Sequence, residues 1–459
     1  MTSRPKVVVI GAGFGGLWAA RALRGEAVDV TLIDRNNFHT FLPLLYQVGA
    51  AELEPFAIAR PVRTIIRGQE NLQFLHAAAR RLDLDRKLVH TERGVYAYDY
   101  LILAPGTVAW DFGIPGVREH AFPLKSLEDG IALRSHILAR FEAALHEPDP
   151  GRREAILRFL IVGGGPTGVE FAGALSELIR GPLRKDYPTL RGESSVVLIE
   201  AADRLLTALP EPLSDYARRR LERMGVELRL GTLVERVGSG TIGVRRGDDP
   251  IEIPGATVAW TAGVRGAPTG GWGLPTGRDG RIETRPTLQL PGRDEVFAVG
   301  DIARTLEDGE PLPMLAQVAM QGGEHAAASI MRLERGEALE PFRYRDRGLL
   351  AVIGRNAAAA RVAGRNFTGF PAWVLWLGVH IVYLIGFRNR FAVLLNWAWD
   401  YIFFERVARI LIPLRLAAPR WPGIGPGGDD PGLGEGTERG EVEGGEAPKV
   451  LEGTVDATS

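Results

Sequence analysis

Lys6-Val-Val-Val-Ile10 runs into Gly11-Ala-Gly13-Phe-Gly-Gly16 and then into a stretch, Gly15 to Arg24, with apolar residues at helical spacing. A short unbroken apolar run of this kind predicts a strand buried on both faces. The glycines set the turn that follows. Gly11 permits the tight bend from strand to helix, Gly13 leaves room for a pyrophosphate against the backbone, and Gly16 lets the helix pack close to the strand. The helix N-terminus then faces the phosphates with its free N–H groups. A second strand, Val30-Thr-Leu-Ile-Asp34, ends on a carboxylate 23 residues after Gly11, where it can bond an adenosine ribose. Strand, turn, helix and spaced acid together predict a dinucleotide site. The glycine spacing alone would be weak evidence in a chain with 57 glycines among 459 residues.

The same unit occurs twice. Phe159-Leu-Ile-Val162 leads into Gly163-Gly-Gly165-Pro-Thr-Gly168 and a helix from about Val169. Its acid is Glu200, closing Val196-Val-Leu-Ile-Glu200, 37 residues after Gly163. A polar insertion, Arg180 to Ser194, accounts for the extra length. A carboxylate here repels a 2′-phosphate, so Glu200 favours NADH over NADPH, and Arg204 nearby argues weakly the other way. Two sites on one chain imply two dinucleotides face to face. The economical pair is a retained flavin dinucleotide and a visiting nicotinamide.

From Met1 to about Phe342, strands such as DVTLID, SVVLIE and EVFAVGD alternate with helical stretches, the pattern of an α/β chain with parallel sheets. No cysteine is present, which removes cysteine-ligated iron–sulfur and zinc sites, dithiol redox pairs and thiolate nucleophiles; no metal site is assigned. The net charge of −1 argues against a nucleic-acid binder. It is also a sum of opposites. Residues 421–459 hold nine acidic and two basic side chains among glycine and proline, a charge of −7 that leaves +6 for the rest. That end is expected to be a disordered acidic tail. The apolar run near the N-terminus is too short for a secretory signal, so a cytoplasmic protein is expected.

Tyr98-Asp-Tyr-Leu-Ile-Leu-Ala-Pro-Gly106 resembles the strand that returns beneath the flavin in two-dinucleotide reductases. Val296-Phe-Ala-Val-Gly300-Asp301 resembles the one whose final aspartate bonds the ribityl chain. Gly-Asp is also an ordinary turn. In register with the first glycine motif, however, Asp301 assigns FAD to the N-terminal site and Glu200 to NADH. The proline at Pro105, where such proteins often carry threonine, removes a hydroxyl and an N–H.

The match becomes more specific with Asn37-Phe-His-Thr-Phe-Leu-Pro-Leu-Leu-Tyr46-Gln-Val48, Gly163 to Gly173, Ala316-Gln317-Val-Ala-Met-Gln321-Gly322 and Gly386-Phe-Arg-Asn-Arg390. These resemble type II NADH dehydrogenases, single-chain, non-pumping NADH:quinone oxidoreductases with one FAD, in order from about residue 5 to 415. The resemblance implies hydride transfer from NADH to flavin N5, then delivery of two electrons to a membrane quinone. It implies FAD contacts from Gly11, Gly13, Gly16, Asp34, Arg35, His39, Gly106, Asp301 and Gln317, and NADH contacts from Gly163, Gly165, Gly168, Glu170, Glu200 and Gly263. Gln317 and Gln321, four apart on a helix beginning just after Pro313, are implied to border the quinone site. Glu170 is implied either to pass a proton toward the quinone or to lie near the nicotinamide. The bland alternative is an acid on the first turn of its helix. His39 is a flavin contact or a turn residue. Without the resemblance, two helical glutamines read as solvated side chains.

Asn366 to Phe387 is a 22-residue run without charge, but Pro371 divides it and leaves 16 residues after it, too few to span ~30 Å of hydrocarbon. A second apolar stretch, Phe391 to Phe404, follows. Val407, Ile410, Leu411 and Leu414 then mark one face of a third helix. Residues 371–416 carry Trp373, Trp376, Trp397 and Trp399 and five arginines against two acids, which fits a segment lying on an anionic lipid surface. A dimer interface or plain core is the alternative. The expected organisation is therefore an FAD-binding domain from residues 1–125 and 281–342, an NADH-binding domain 126–280, a helical membrane-anchoring or dimerisation region 343–420, and the tail 421–459. The reading is a peripheral enzyme on the cytoplasmic face of the membrane, a homodimer in keeping with the family. Two alternatives stay open: a soluble NADH:acceptor reductase, and a non-catalytic nicotinamide and flavin sensor.

Overall fold

The first glycine unit sits at the centre of a six-stranded sheet. In the computed structural model, which describes residues 4–403 and 408–411, its strands run Gln289–Leu290, Arg293–Ala298, Tyr100–Leu103, Lys6–Ile10, Asp29–Asp34, Leu72–His76. Neighbours are parallel except the first pair. The unbroken apolar run follows from this position. Val7 and Val9 pack with Leu17, Ala20 and Ile330 of the helices Phe14–Ala22 and Ala316–Glu334. Val8 and Ile10 face a layer holding Leu82, Val89 and Trp272. Both faces are covered, so neither set of alternating side chains can be polar.

The second unit repeats the plan. Five parallel strands lie in the order Ala121–Pro123, Thr257–Trp260, Arg158–Val162, Ser195–Ile199, Val226–Arg229. Phe159 and Ile161 pack toward Phe141 and Phe171 on helices, while Leu160 and Val162 meet the three-stranded sheet Leu233–Gly238, Thr241–Arg246, Asp249–Pro254. The five-stranded sheet takes its edge strand from residues 121–123, ahead of the boundary expected after residue 125. An antiparallel pairing of Thr107–Ala109 with Val264–Gly266 joins the two halves. The insertion after the second helix is itself helical: the Pro166–Leu178 helix runs into a wider turn, Ile179–Leu183, then Arg184–Asp186 and Pro188–Leu190, burying Leu183 and Leu190.

The C-terminal region begins with an antiparallel sheet, Leu349–Val352, Ala358–Val362, Arg365–Thr368, followed by helices Gly369–Tyr383 and Phe387–Phe403. The first of these starts two residues before Pro371 instead of after it. A proline in the first turn forfeits no helical hydrogen bond. At 15 and 17 residues the helices are about 22 and 25 Å long, and among the described residues no helix is long and apolar enough to cross a membrane. Residues 408–411 are not helical, against the expected amphipathic helix. Val407 and Leu414, like residues 421–459, lie outside the described residues.

Candidate active site

The two glycine turns are superimposable in logic. Gly11 has φ +102°, and a Cβ there would lie 2.2 Å from the Ala104 carbonyl oxygen; Gly163 has φ +111°, with Ala262 N 2.8 Å from such a Cβ. A Cβ on Gly16 would meet the Gly11 oxygen at 1.8 Å, and one on Gly168 the Gly163 oxygen at 1.9 Å. The middle glycines, Gly13 and Gly165, have nothing within 4 Å of that position. Each loop thus offers open space over backbone N–H groups at a helix start, a cradle fitted to pyrophosphate.

Each cradle carries its acid. Asp34 accepts from the N–H of Ala12 (2.6 Å) and Asn36 (2.7 Å), and burial pushes its carboxyl above the usual range. Glu200 accepts from the N–H of Gly164 and, at 2.7 Å, of Ala202. Arg204 turns away from it, donating to the carbonyls of Leu209 and Thr207 at 2.9 and 2.8 Å. The expected result for Glu200→Arg is a KM for NADH raised about tenfold with NADPH discrimination reduced, since each 1.4 kcal/mol of lost binding is a factor of ten. Steady-state kinetics with both nucleotides checks this, and unchanged selectivity would remove Glu200 from the site.

Between the cradles, Asp301 accepts from the Thr107 hydroxyl at 3.1 Å and lies 3.7 Å from Lys125 Nζ. The Ala316–Glu334 helix starts beside it, with Ala319 Cβ 3.0 Å from a Cβ built on Gly300. Gly106, at φ +75°, turns the chain away under the same site. Gly263 (φ +70°) lies under the ring of Phe112, which a Cβ would meet at 2.2 Å. His39 backs the first loop, its Nδ1 2.9 Å from Ala12 O and its ring edge-on to Phe14. Burial pushes its pKa down to about 4, so it is neutral, and its Nε2 is buried without a hydrogen-bond partner. Arg35 is exposed at the rim.

Glu170 does not fit the alternative of a first-turn acid. It is the fifth residue of its helix, not an acid of the first turn, and its carboxylate accepts from the Val352 N–H at 3.2 Å. It lines a cavity of about 470 Å³ with Tyr46, Gln47, Trp376 and Trp397. Burial pushes its pKa up to about 8. A hydrogen-bonded row lines the same cavity: Trp397 Nε1 donates to Gln47 Oε1 (3.0 Å), and Gln47 Nε2 to the Tyr46 hydroxyl (3.0 Å). Trp376 is buried against Trp397 at 5.5 Å. Three of the four tryptophans expected at a lipid interface, Trp373, Trp376 and Trp397, therefore line this cavity.

Gln317 and Gln321 do share a helix face, but neither lines this cavity. Gln317 Nε2 donates to Gly348 O at 3.0 Å, and Gln321 exchanges two 3.0 Å hydrogen bonds with the backbone of Arg345. Gln321 thus clamps the chain that enters the C-terminal sheet. The Gln317 Oε1, buried without a partner, remains available as an acceptor. Tyr46 and Gln47 lie in the stretch Asn37–Val48, where spacing predicts no role for them, and Lys125 belongs to no motif; only tertiary contact singles them out.

Residues 5–323 match the family described as pyridine nucleotide-disulphide oxidoreductase. That places the chain in a class built from two dinucleotide-binding units, though with no cysteine it cannot perform disulphide chemistry. The type II NADH:quinone oxidoreductase Ndh of Mycobacterium tuberculosis is 37% identical over 88% of this chain and 89% of its own. The type II NADH:quinone oxidoreductase of Staphylococcus aureus is 33% identical over 80% and 92%. The chain belongs to the type II NADH:quinone oxidoreductase family. The fold agrees with NDH2 from Plasmodium falciparum solved with NADH (TM-score 0.82, 18% identity, 89% of this chain and 100% of that one). It also agrees with sulfide:quinone oxidoreductase from Aquifex aeolicus (TM-score 0.69, 16% identity, 87% and 96%).

Proposed function

We propose that this protein oxidises NADH and reduces a membrane quinone through one bound FAD. The observation that carries the reading is the pair of matched cradles whose chains join at Thr107–Ala109 and Val264–Gly266. FAD, when bound, accepts a hydride and releases two electrons singly or together. The residues of the first cradle fit it: Gly11, Gly13 and Gly16 shape the loop, Asp34 faces the ribose position, and Asp301 with Thr107 offers polar atoms for the ribityl chain. Glu200 and the second loop hold NADH, with Gly263 marking the nicotinamide end.

Quinone reduction to quinol consumes two electrons and two protons. The Glu170 cavity, walled by aromatic rings, suits a quinone head group, and a carboxyl still protonated near neutrality can donate one proton there, the hydrogen taken from NADH as hydride supplying the other. The Val352 N–H stabilises the carboxylate left behind. NADH oxidation by detergent-purified protein, with and without a short-chain quinone, tests the scheme. Absence of flavin would sink all of it; flavin reduced by NADH without quinone turnover would leave a reductase for another acceptor.

The same reading places the enzyme on the cytoplasmic face of a membrane, held by residues 371–416 and as a homodimer. Its support is the exposed apolar surface of the last two helices, including Val382, Phe391, Leu395, Ile402 and Phe403. Phe391→Glu with Ile402→Glu is expected to abolish co-flotation with anionic vesicles while NADH still reduces the flavin. Flotation equal to the parent's would reassign this surface to a subunit contact, read by light scattering.

A further inference from the structure

Lys125 has no part in the scheme above, yet it stands where the two cradles meet. It lies two residues past the Ala121–Pro123 strand, at the carboxyl edge of the second sheet, beside the Thr257–Trp260 strand that leads to Gly263. Ligands of open α/β sheets bind at that edge. Its ammonium reaches the other half of the molecule, 3.7 Å from Asp301, which lies just past the carboxyl end of Arg293–Ala298 in the first sheet. The base of the side chain is fixed, because the Lys125 N–H donates to Asp129 Oδ2 at 2.9 Å within the capping box of the Leu127–Leu145 helix. Asp301 does not cancel the local positive charge. Buried Arg281, whose guanidinium donates to the carbonyls of Ala303 and Leu312, lies in the field of Asp279 and of Asp301. Asp279 also pairs with Arg304 at 3.9 Å, so Lys125, Arg281 and Arg304 face two carboxylates.

We propose that Lys125 supplies the positive charge that stabilises the flavin after NADH has reacted. Hydride transfer breaks the C4–H bond of the dihydronicotinamide, forms an N–H bond at flavin N5 and carries two electrons across. The nicotinamide leaves with a cationic ring, and the flavin gains one unit of negative charge centred on N1 and the C2 carbonyl. An ammonium in a half-buried seam favours that product and disfavours retention of the cationic nicotinamide, by Coulomb forces that water only partly screens. The inference rests on FAD occupying the first cradle and is independent of the quinone.

The test is a dye-mediated dithionite titration of the flavin in the purified protein, which needs neither NADH nor quinone. Lys125→Met and Lys125→Gln are expected to retain flavin but to lower its reduced-to-oxidised ratio at fixed potential by tenfold or more. That is a shift of about 30 mV for a two-electron couple. Lys125→Arg is expected to restore most of it. A ratio unchanged in the neutral variants would overturn the proposal, as would an arginine variant no better than glutamine. Loss of flavin from both neutral variants would also overturn it, since the lysine would then hold the group without tuning its charge.

Discussion

Asp301→Ala is expected to give a folded protein that purifies with little or no flavin and oxidises NADH ~100-fold more slowly or worse. The carboxylate accepts from Thr107 and pairs with Lys125 at the base of the first cradle. Removing it takes away an acceptor for the ribityl chain, leaves Lys125 without its carboxylate partner and takes one of two carboxylates from the field of buried Arg281. Breaking such a partly buried charge cluster costs about 3 kcal/mol, a factor of about 100 in flavin affinity. The ratio of flavin to protein absorbance checks this, with Asp301→Asn as the variant that keeps an acceptor and drops the charge. Full flavin content in the alanine protein would show that Asp301 is a turn residue, as its Gly-Asp context alone allows.

Glu170→Gln is expected to slow quinone reduction about 100-fold, the usual contribution of a positioned acid, and to leave reduction of the flavin by NADH nearly unchanged. Stopped-flow separates the two half-reactions. In the parent, quinone reduction declines as pH rises through about 8, where the carboxyl loses its proton. In the variant that decline is absent. Stability moves with the same proton. Burial raises this carboxyl from about 4.5 to about 8, so the folded chain holds a proton there that the unfolded chain has released. Its contribution is fully present below about pH 4.5, falls as pH rises between these values and is lost above about 8. The loss amounts to a few kcal/mol, and the glutamine variant is expected to remove it. Parallel denaturation curves for parent and variant from pH 5 to 9 would argue that Glu170 is ionised throughout and is no proton donor.

The two cradles were legible because the strand, turn, helix and closing acid of each fall within about forty residues. The backbones that crowd Gly11 and Gly163, at Ala104 and Ala262, nevertheless come from much further along the chain. A glycine that must adopt φ near +100° and a glycine that must touch the preceding strand leave a mark at fixed spacing, and the acid closing the next strand falls in register with them. Glu170 was visible as a motif residue but not as a buried acid, because its environment comes from Val352 and the residues around 376 and 397, two hundred positions away. Gln317 and Gln321 illustrate the reverse. Their shared helix face was read correctly, yet what that face meets is the backbone of residues 345–348, which no periodicity discloses.

The tryptophans make the distinction plainly. Composition collects four of them in one apolar, arginine-rich stretch, and that is enough to expect an interface. Only packing decides that Trp373, Trp376 and Trp397 line a cavity while Trp399 faces outward. The α/β plan, the duplicated dinucleotide unit, the absence of thiol chemistry and the family are all readable along the chain. These are carried by local sterics and by residue types that are present or absent. The tertiary structure alone decided which charged groups lose water and which meet across the seam. Desolvation and ion pairing depend on what distant segments bring alongside, so Lys125 with Asp301, and Glu170 with its cavity, could be recognised only once the chain was folded.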